Sequence, residues 1–262
     1  MAAERSPAMR PLLVRGMIAG LVAAAAGLLV AWIYGEPQVA NAISFEEAQA
    51  AAEHGAAGHA EEEEVVSRTV QQTVGLVTAM AVYGTAIGGL FSIAFAFAHG
   101  RIGTLGARAT SGLVALLGFT AVVLVPFLKY PPTPPAVGNP GTIGGRTALY
   151  FGMVALGVLA TVAAVIVFGR LAARLGTWSA AIVSTAGFAA VVAVVFRLTP
   201  RPDAVAEGFP ATVLWDFRIA SLGVHVVLWA TLGLLFGALT ERAFQRHRAP
   251  LAEAEGEPVP AA

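Results

Sequence analysis

His54 and His59 flank Gly55-Ala56-Ala57-Gly58, and Glu61, Glu62, Glu63 and Glu64 follow immediately. Imidazole nitrogens beside carboxylates suit Co²⁺, Ni²⁺ or Zn²⁺ better than Ca²⁺ or Cu⁺. On a straight helix, residues five apart point about 140° from one another, so both rings reach one ion only across a turn. Gly55 and Gly58 permit that turn. The segment 35–68 holds eight glutamates, two histidines and one arginine. Its Ala-rich chain is expected to raise local cation concentration rather than build a rigid cage, which needs supporting hydrogen bonds around each ligand. A solvated acidic loop with incidental histidines has the same composition, and two histidines with a Glu run are a weaker signature than paired CxxC motifs.

A second constellation lies near the C-terminus. Arg218, Ser221, His225 and Trp229 follow i, i+3, i+7, i+11 and share one helical face. His225 falls about 10 Å along the axis from Arg218 and is the histidine well inside an apolar stretch. An ionisable residue at membrane depth marks a substrate path by default, and a neutral histidine bonded to a neighbouring helix is the competing explanation. A metal crossing here would meet His225 as its nitrogen ligand, with Ser221 one turn further out. Asp216 suits a helix N-terminus, and Arg218 is expected to turn toward it or toward lipid phosphate. His99, at a helix end, reads as structural, and His247 as solvated.

Other chemistries are excluded by composition. There is no cysteine, so disulfides and thiolate sites are absent. Lys129 is the sole lysine and is followed by Tyr130, so there is no Walker A Gly-Lys-Ser/Thr. No Gly-x-Ser-x-Gly, His-Glu-x-x-His or intramembrane Asp pair is present, and no enzyme is expected. Sixteen basic and sixteen acidic residues leave no net charge to select a nucleic acid.

These side chains need a scaffold, and hydropathy supplies it. Of 262 residues, 57% are hydrophobic and 12% charged, with a mean hydropathy of +0.74. A soluble domain carries about 25% charged residues. Six apolar stretches, at 13–34, 73–98, 109–128, 148–168, 178–196 and 219–239, have the length that a bilayer core demands of a helix. The fold class expected is all-α: a polytopic six-helix transmembrane bundle over 1–245, followed by a disordered cytoplasmic tail over 246–262.

Orientation follows from the arginines. With both termini inside, ten fall on the inner side (Arg5, Arg10, Arg15, Arg101, Arg108, Arg170, Arg174, Arg242, Arg246, Arg248), against six basic residues outside (Arg68, Lys129, Arg146, Arg197, Arg201, Arg218). Cleavage of the first stretch as a signal peptide is the competing reading, although its apolar run is longer than usual for one.

The outer ends repeat. Three helices run out into Tyr34-Gly35-Glu36-Pro37, Lys129-Tyr130-Pro131-Pro132 and Thr199-Pro200-Arg201-Pro202, and three begin after Arg68, Arg146 and Arg218. This spacing suggests three related helical hairpins, although prolines and interfacial arginines recur at helix ends anyway. Gly16/Gly20, Gly84/Gly88 and Gly233/Gly237 are small-xxx-small pairs suited to close helix packing. The proline-rich segment 129–146 is stiff and is expected to act as a lid, a plug or a spacer.

The Arg15-Gly16…Gly20 start, the outer loop with its histidines and Glu run, Tyr130-Pro131-Pro132…Pro135-Ala136-Val137-Gly138, and Phe217-Arg218-Ile219-Ala220-Ser221-Leu222-Gly223…Trp229 together resemble the CbtA family of predicted cobalt transporter subunits. The resemblance spans roughly residues 10–245. It implies a multi-pass protein of the plasma (inner) membrane of a prokaryote, taking up divalent metal, cobalt above others, for cobalamin synthesis. It also implies a small one-span, His-bearing CbtB-like partner. A non-transporting membrane scaffold, or a metal-sensing or assembly subunit, is the alternative.

Overall fold

The computed structural model describes residues 9–54, 67–135, 137–138, 140–202 and 205–255, and among them there is no strand. Six helices are long and apolar enough to cross a membrane: α1 (Met9–Ala52), α2 (Arg68–Ala98), α3 (Ala107–Lys129), α4 (Ile143–Leu175), α5 (Thr177–Leu198) and α6 (Ala211–Arg246). Large apolar side chains face outward along them. Leu198, Trp178 and Leu234 are 80%, 79% and 76% exposed, which suits lipid rather than water. The chain is a multi-pass membrane protein.

Two boundaries differ from the sequence expectation. The segment expected as a loop over 35–68 is helical from Glu36 to His54. Its alanines, glutamines and glutamates are strong helix formers. Pro37 lacks an N–H, and the chain accommodates it with a π turn over Ala31–Gly35 just before. Pro126 in α3 follows the same device, a π turn over Thr120–Leu124. At the other end the helical backbone continues through Glu255, into the segment expected to be an irregular tail.

The chain forms two compact units. The first comprises Met1–Ala24, Ala81–Leu116 and Leu228–Ala262. Here α1 and α2 meet backbone to backbone: a Cβ at Gly16 would overlap the Gly88 carbonyl, and one at Gly20 the Gly84 carbonyl. Between α3 and α6, Ser111 Oγ donates to the Gly233 carbonyl at 2.6 Å, and Gly237 lies against Arg108 and Ser111. All three small-residue pairs thus mark real contacts. Phe91, Phe95 and Phe236 fill the space between with edge-on rings. His99 stacks on Phe95 with its Nδ1 3.4 Å from Thr110 Oγ1, in keeping with a structural role.

The second unit comprises Ala25–Met80 and Leu117–Val227. Gly157 of α4 touches Ala121 of α3, and Val125, Met153 and Val192 form a core among α3, α4 and α5. Lys129, at the end of α3, donates to the carbonyls of Phe196 and Thr199 at 2.7 and 3.1 Å, capping the end of α5. Tyr130 donates its hydroxyl proton to the Pro200 carbonyl at 2.9 Å. Ala42, Val137, Phe209 and Leu214 make a further core, with Phe45 edge-on to Phe209. Glu36 pairs with Arg68, and Trp32 Nε1 donates to the Gln72 carbonyl at 2.8 Å. That carbonyl lies in a π turn over Gln71–Gly75, where the ordinary helical hydrogen-bonding pattern is interrupted.

Candidate functional site

The second unit contains a cavity of about 690 Å³. Cavities of this order are large enough to admit a small organic molecule or a hydrated ion. Its walls come from the end of α3, the proline segment, the start of α4, the chain after α5 and the start of α6.

Each wall contributes a polar group. Arg146 projects from the first turn of α4, where its guanidinium packs on Gly138. Gly138 has φ +107°, a backbone conformation that other residues rarely adopt, and a Cβ there would overlap Arg146 Nη1. Arg218, two turns into α6, lines the cavity and donates its Nε–H to the Pro132 carbonyl across 3.4 Å. Arg201 enters from the exposed chain after α5, and the phenols of Tyr130 and Tyr150 line the wall.

His225 lies deepest along α6. Its Nδ1 stands 2.9 Å from the Ser221 carbonyl of its own helix. A carbonyl only accepts, so Nδ1–H is the donor in this contact.

Arg218, Ser221 and His225 line the same cavity, and Tyr130, Pro131 and Pro132 form part of its wall. Arg218 does not turn away toward Asp216: its guanidinium is held at the cavity by the Pro132 carbonyl, while Asp216 is exposed. Trp229 belongs to the first unit, where it is buried edge-on to Phe91. His54 ends a helical stretch, and nothing is described of its side chain. His59, Glu61, Glu62, Glu63 and Glu64 lie outside the described residues. Among the described residues no three His, Asp or Glu side chains gather as a metal site.

Sequence reasoning missed Arg146, Arg201 and Tyr150 as site residues. The signal was present in the repeat of outer arginines, but the three helix-starting members have different fates. Arg68 pairs with Glu36, and Arg146 and Arg218 line the cavity.

Among the described residues, three arginines, Arg146, Arg201 and Arg218, line the cavity.

No curated protein and no solved structure matches the chain. A family model does match, over residues 9–241, a span that reaches into all six helices and contains the whole cavity. Its description, probable cobalt transporter subunit, names a transport function rather than an enzymatic one. On that match the chain belongs to the CbtA family.

Proposed function

We propose that this protein is the membrane component of a cobalt uptake transporter in the inner membrane of a prokaryote, supplying metal for cobalamin synthesis, with both termini in the cytoplasm. The observation that carries this reading is the family match across 9–241, on a chain with six membrane-length helices. The basic bias of the inner segments supports the orientation.

In this reading His54, His59 and Glu61 to Glu64 gather cobalt at the outer face, with nickel or zinc as weaker competitors. The cavity is the substrate site, and His225 presents an imidazole that exchanges ligands without holding the metal permanently. Ser221 fixes the ring through its carbonyl. The family description, one subunit of a transporter, calls for a partner, and a small one-span, His-bearing CbtB-like chain fills that place.

Cobalt accumulation in cells lacking the protein tests the proposal. Uptake at low external cobalt falls when the protein is removed and returns when it is restored. Unchanged accumulation would leave a membrane scaffold, or a role in metal sensing or assembly, as the better account.

A further inference from the structure

We infer that the corner where α4 turns into α5, in the second unit, is a docking surface for an anionic phospholipid, with the lipid phosphate held by Arg170 and Arg174 and an acyl chain laid along the outward face of α4. The inference stands apart from cobalt transport, because it concerns a component of the membrane that this corner selects.

Depth places the corner at the lipid headgroups. The stretch 148–168 of α4 contains no charged residue and, at about 1.5 Å per residue, spans the roughly 30 Å of a hydrocarbon core. Arg170 and Arg174 follow directly, in the last two turns of the helix. Trp178, exposed in the first turn of α5, stands at the same level, where the amphipathic indole ring is favoured.

One helical face carries both parts of a lipid's chemistry. Leu159, Val162, Ile166, Arg170 and Arg174 follow i, i+3, i+7, i+11, i+15 and fall within about 120° around the axis. All five are exposed. The face therefore runs from an apolar track into two guanidiniums one turn apart, the order in which an acyl chain leads to its phosphate.

The two arginines are also set apart by what they leave undone. Other basic residues at helix ends spend their donors on protein: Lys129 caps α5, Arg101 donates Nη1–H to the Ala96 and Phe97 carbonyls at 3.3 and 3.1 Å, and Arg68 pairs with Glu36. The end of α4 is closed instead by the N–H of Gly176, whose φ of +78° turns the chain and which donates to the Ala172 carbonyl at 3.1 Å. Arg170 and Arg174 make no hydrogen bond or ion pair with the described residues. The sequence has no Asp or Glu between Glu64 and Asp203, so no acid near them in the chain offsets their charge. Paired guanidiniums match the oxygens of a phosphate, and basic residues at this depth attract anionic headgroups.

Phosphatidylglycerol is the probe, added to delipidated full-length protein in neutral detergent, with phosphatidylcholine and inorganic phosphate as comparisons. Bound lipid is counted by native mass spectrometry, and its effect is read as Tm. Phosphatidylglycerol binds more tightly than phosphatidylcholine and raises Tm. Replacing both arginines, Arg170→Gln with Arg174→Gln, weakens that binding about tenfold or more and removes the gain in Tm. Arg197→Gln, which removes an exposed arginine from the opposite end of α5, leaves both unchanged. Arg170→Lys with Arg174→Lys falls between, because lysine keeps charge but loses the paired donors, and it reads the site even where the glutamine variant is unstable.

Phosphatidylcholine binding as tightly as phosphatidylglycerol overturns the inference, as does full phosphatidylglycerol binding by the double glutamine variant. An equal loss in Arg197→Gln shows attraction to any interfacial charge rather than a site. Inorganic phosphate that displaces the lipid at equal concentration shows a site for the free anion. Each of these results leaves the transport reading untouched.

Discussion

The Arg146 guanidinium packs against the backbone of Gly138, in the space where any other residue would carry its Cβ. One glycine thus sets both the path of the proline segment and the position of a cavity charge. Gly138→Ala meets a guanidinium and a φ of +107° together. A non-glycine residue forced into a sparsely populated backbone region costs about 1–3 kcal/mol. The variant is expected to unfold at lower temperature in detergent, and an unchanged Tm contradicts this placement of Arg146.

Gly88 separates packing from exposure. Its Cα lies on the Gly20 backbone and its carbonyl against Gly16, whereas Gly152 has open space where its Cβ would be. Overpacking a close contact costs about 1–3 kcal/mol. Gly88→Leu should therefore lower the thermal stability of the purified protein, and Gly152→Leu should leave it unchanged. Equal effects at both positions contradict the α1–α2 contact.

Lys129 closes the end of α5 through the Phe196 and Thr199 carbonyls. Removing a charged donor and leaving those carbonyls without it costs about 1.5–3 kcal/mol. Lys129→Met is expected to loosen the ends of α3 and α5, seen as faster hydrogen exchange at residues 196–199. Exchange at the wild-type rate shows that the capping bonds contribute nothing.

The outer loop makes a graded prediction. Replacing His54 and His59 together should reduce cobalt uptake at low external metal and matter little at high metal, because a flexible acidic segment raises local concentration only. Equal loss at all concentrations places these histidines on the conduction path.

The orientation is checked by a fusion after Arg248. A cytoplasmic reporter there is expected to be active, and a reporter that works only outside the cytoplasm should be silent. The reverse pattern contradicts the topology.

Hydropathy made the six helices legible, because lipid admits a backbone only when it satisfies its own hydrogen bonds. The face shared by Arg218, Ser221 and His225 was legible too, since helical periodicity alone sets it. The helix over Glu36–His54 was obscured by Pro37, a usual helix breaker that a π turn accommodates here. The make-up of the cavity wall was not legible, because only the fold brings Arg146 and Arg201 to the same space as Arg218 and pairs Arg68 with Glu36.

Cobalt accumulation at low external metal, in cells lacking the native protein, tests the central claim that this chain carries cobalt through the cavity. Cells are compared with wild-type protein, His225→Ala or His225→Gln restored at equal membrane levels. The account predicts that wild type restores uptake and that neither variant does, although glutamine keeps a hydrogen-bond donor for the Ser221 carbonyl and preserves the fold. Normal uptake with His225→Gln, or no loss of uptake when the protein is absent, contradicts it.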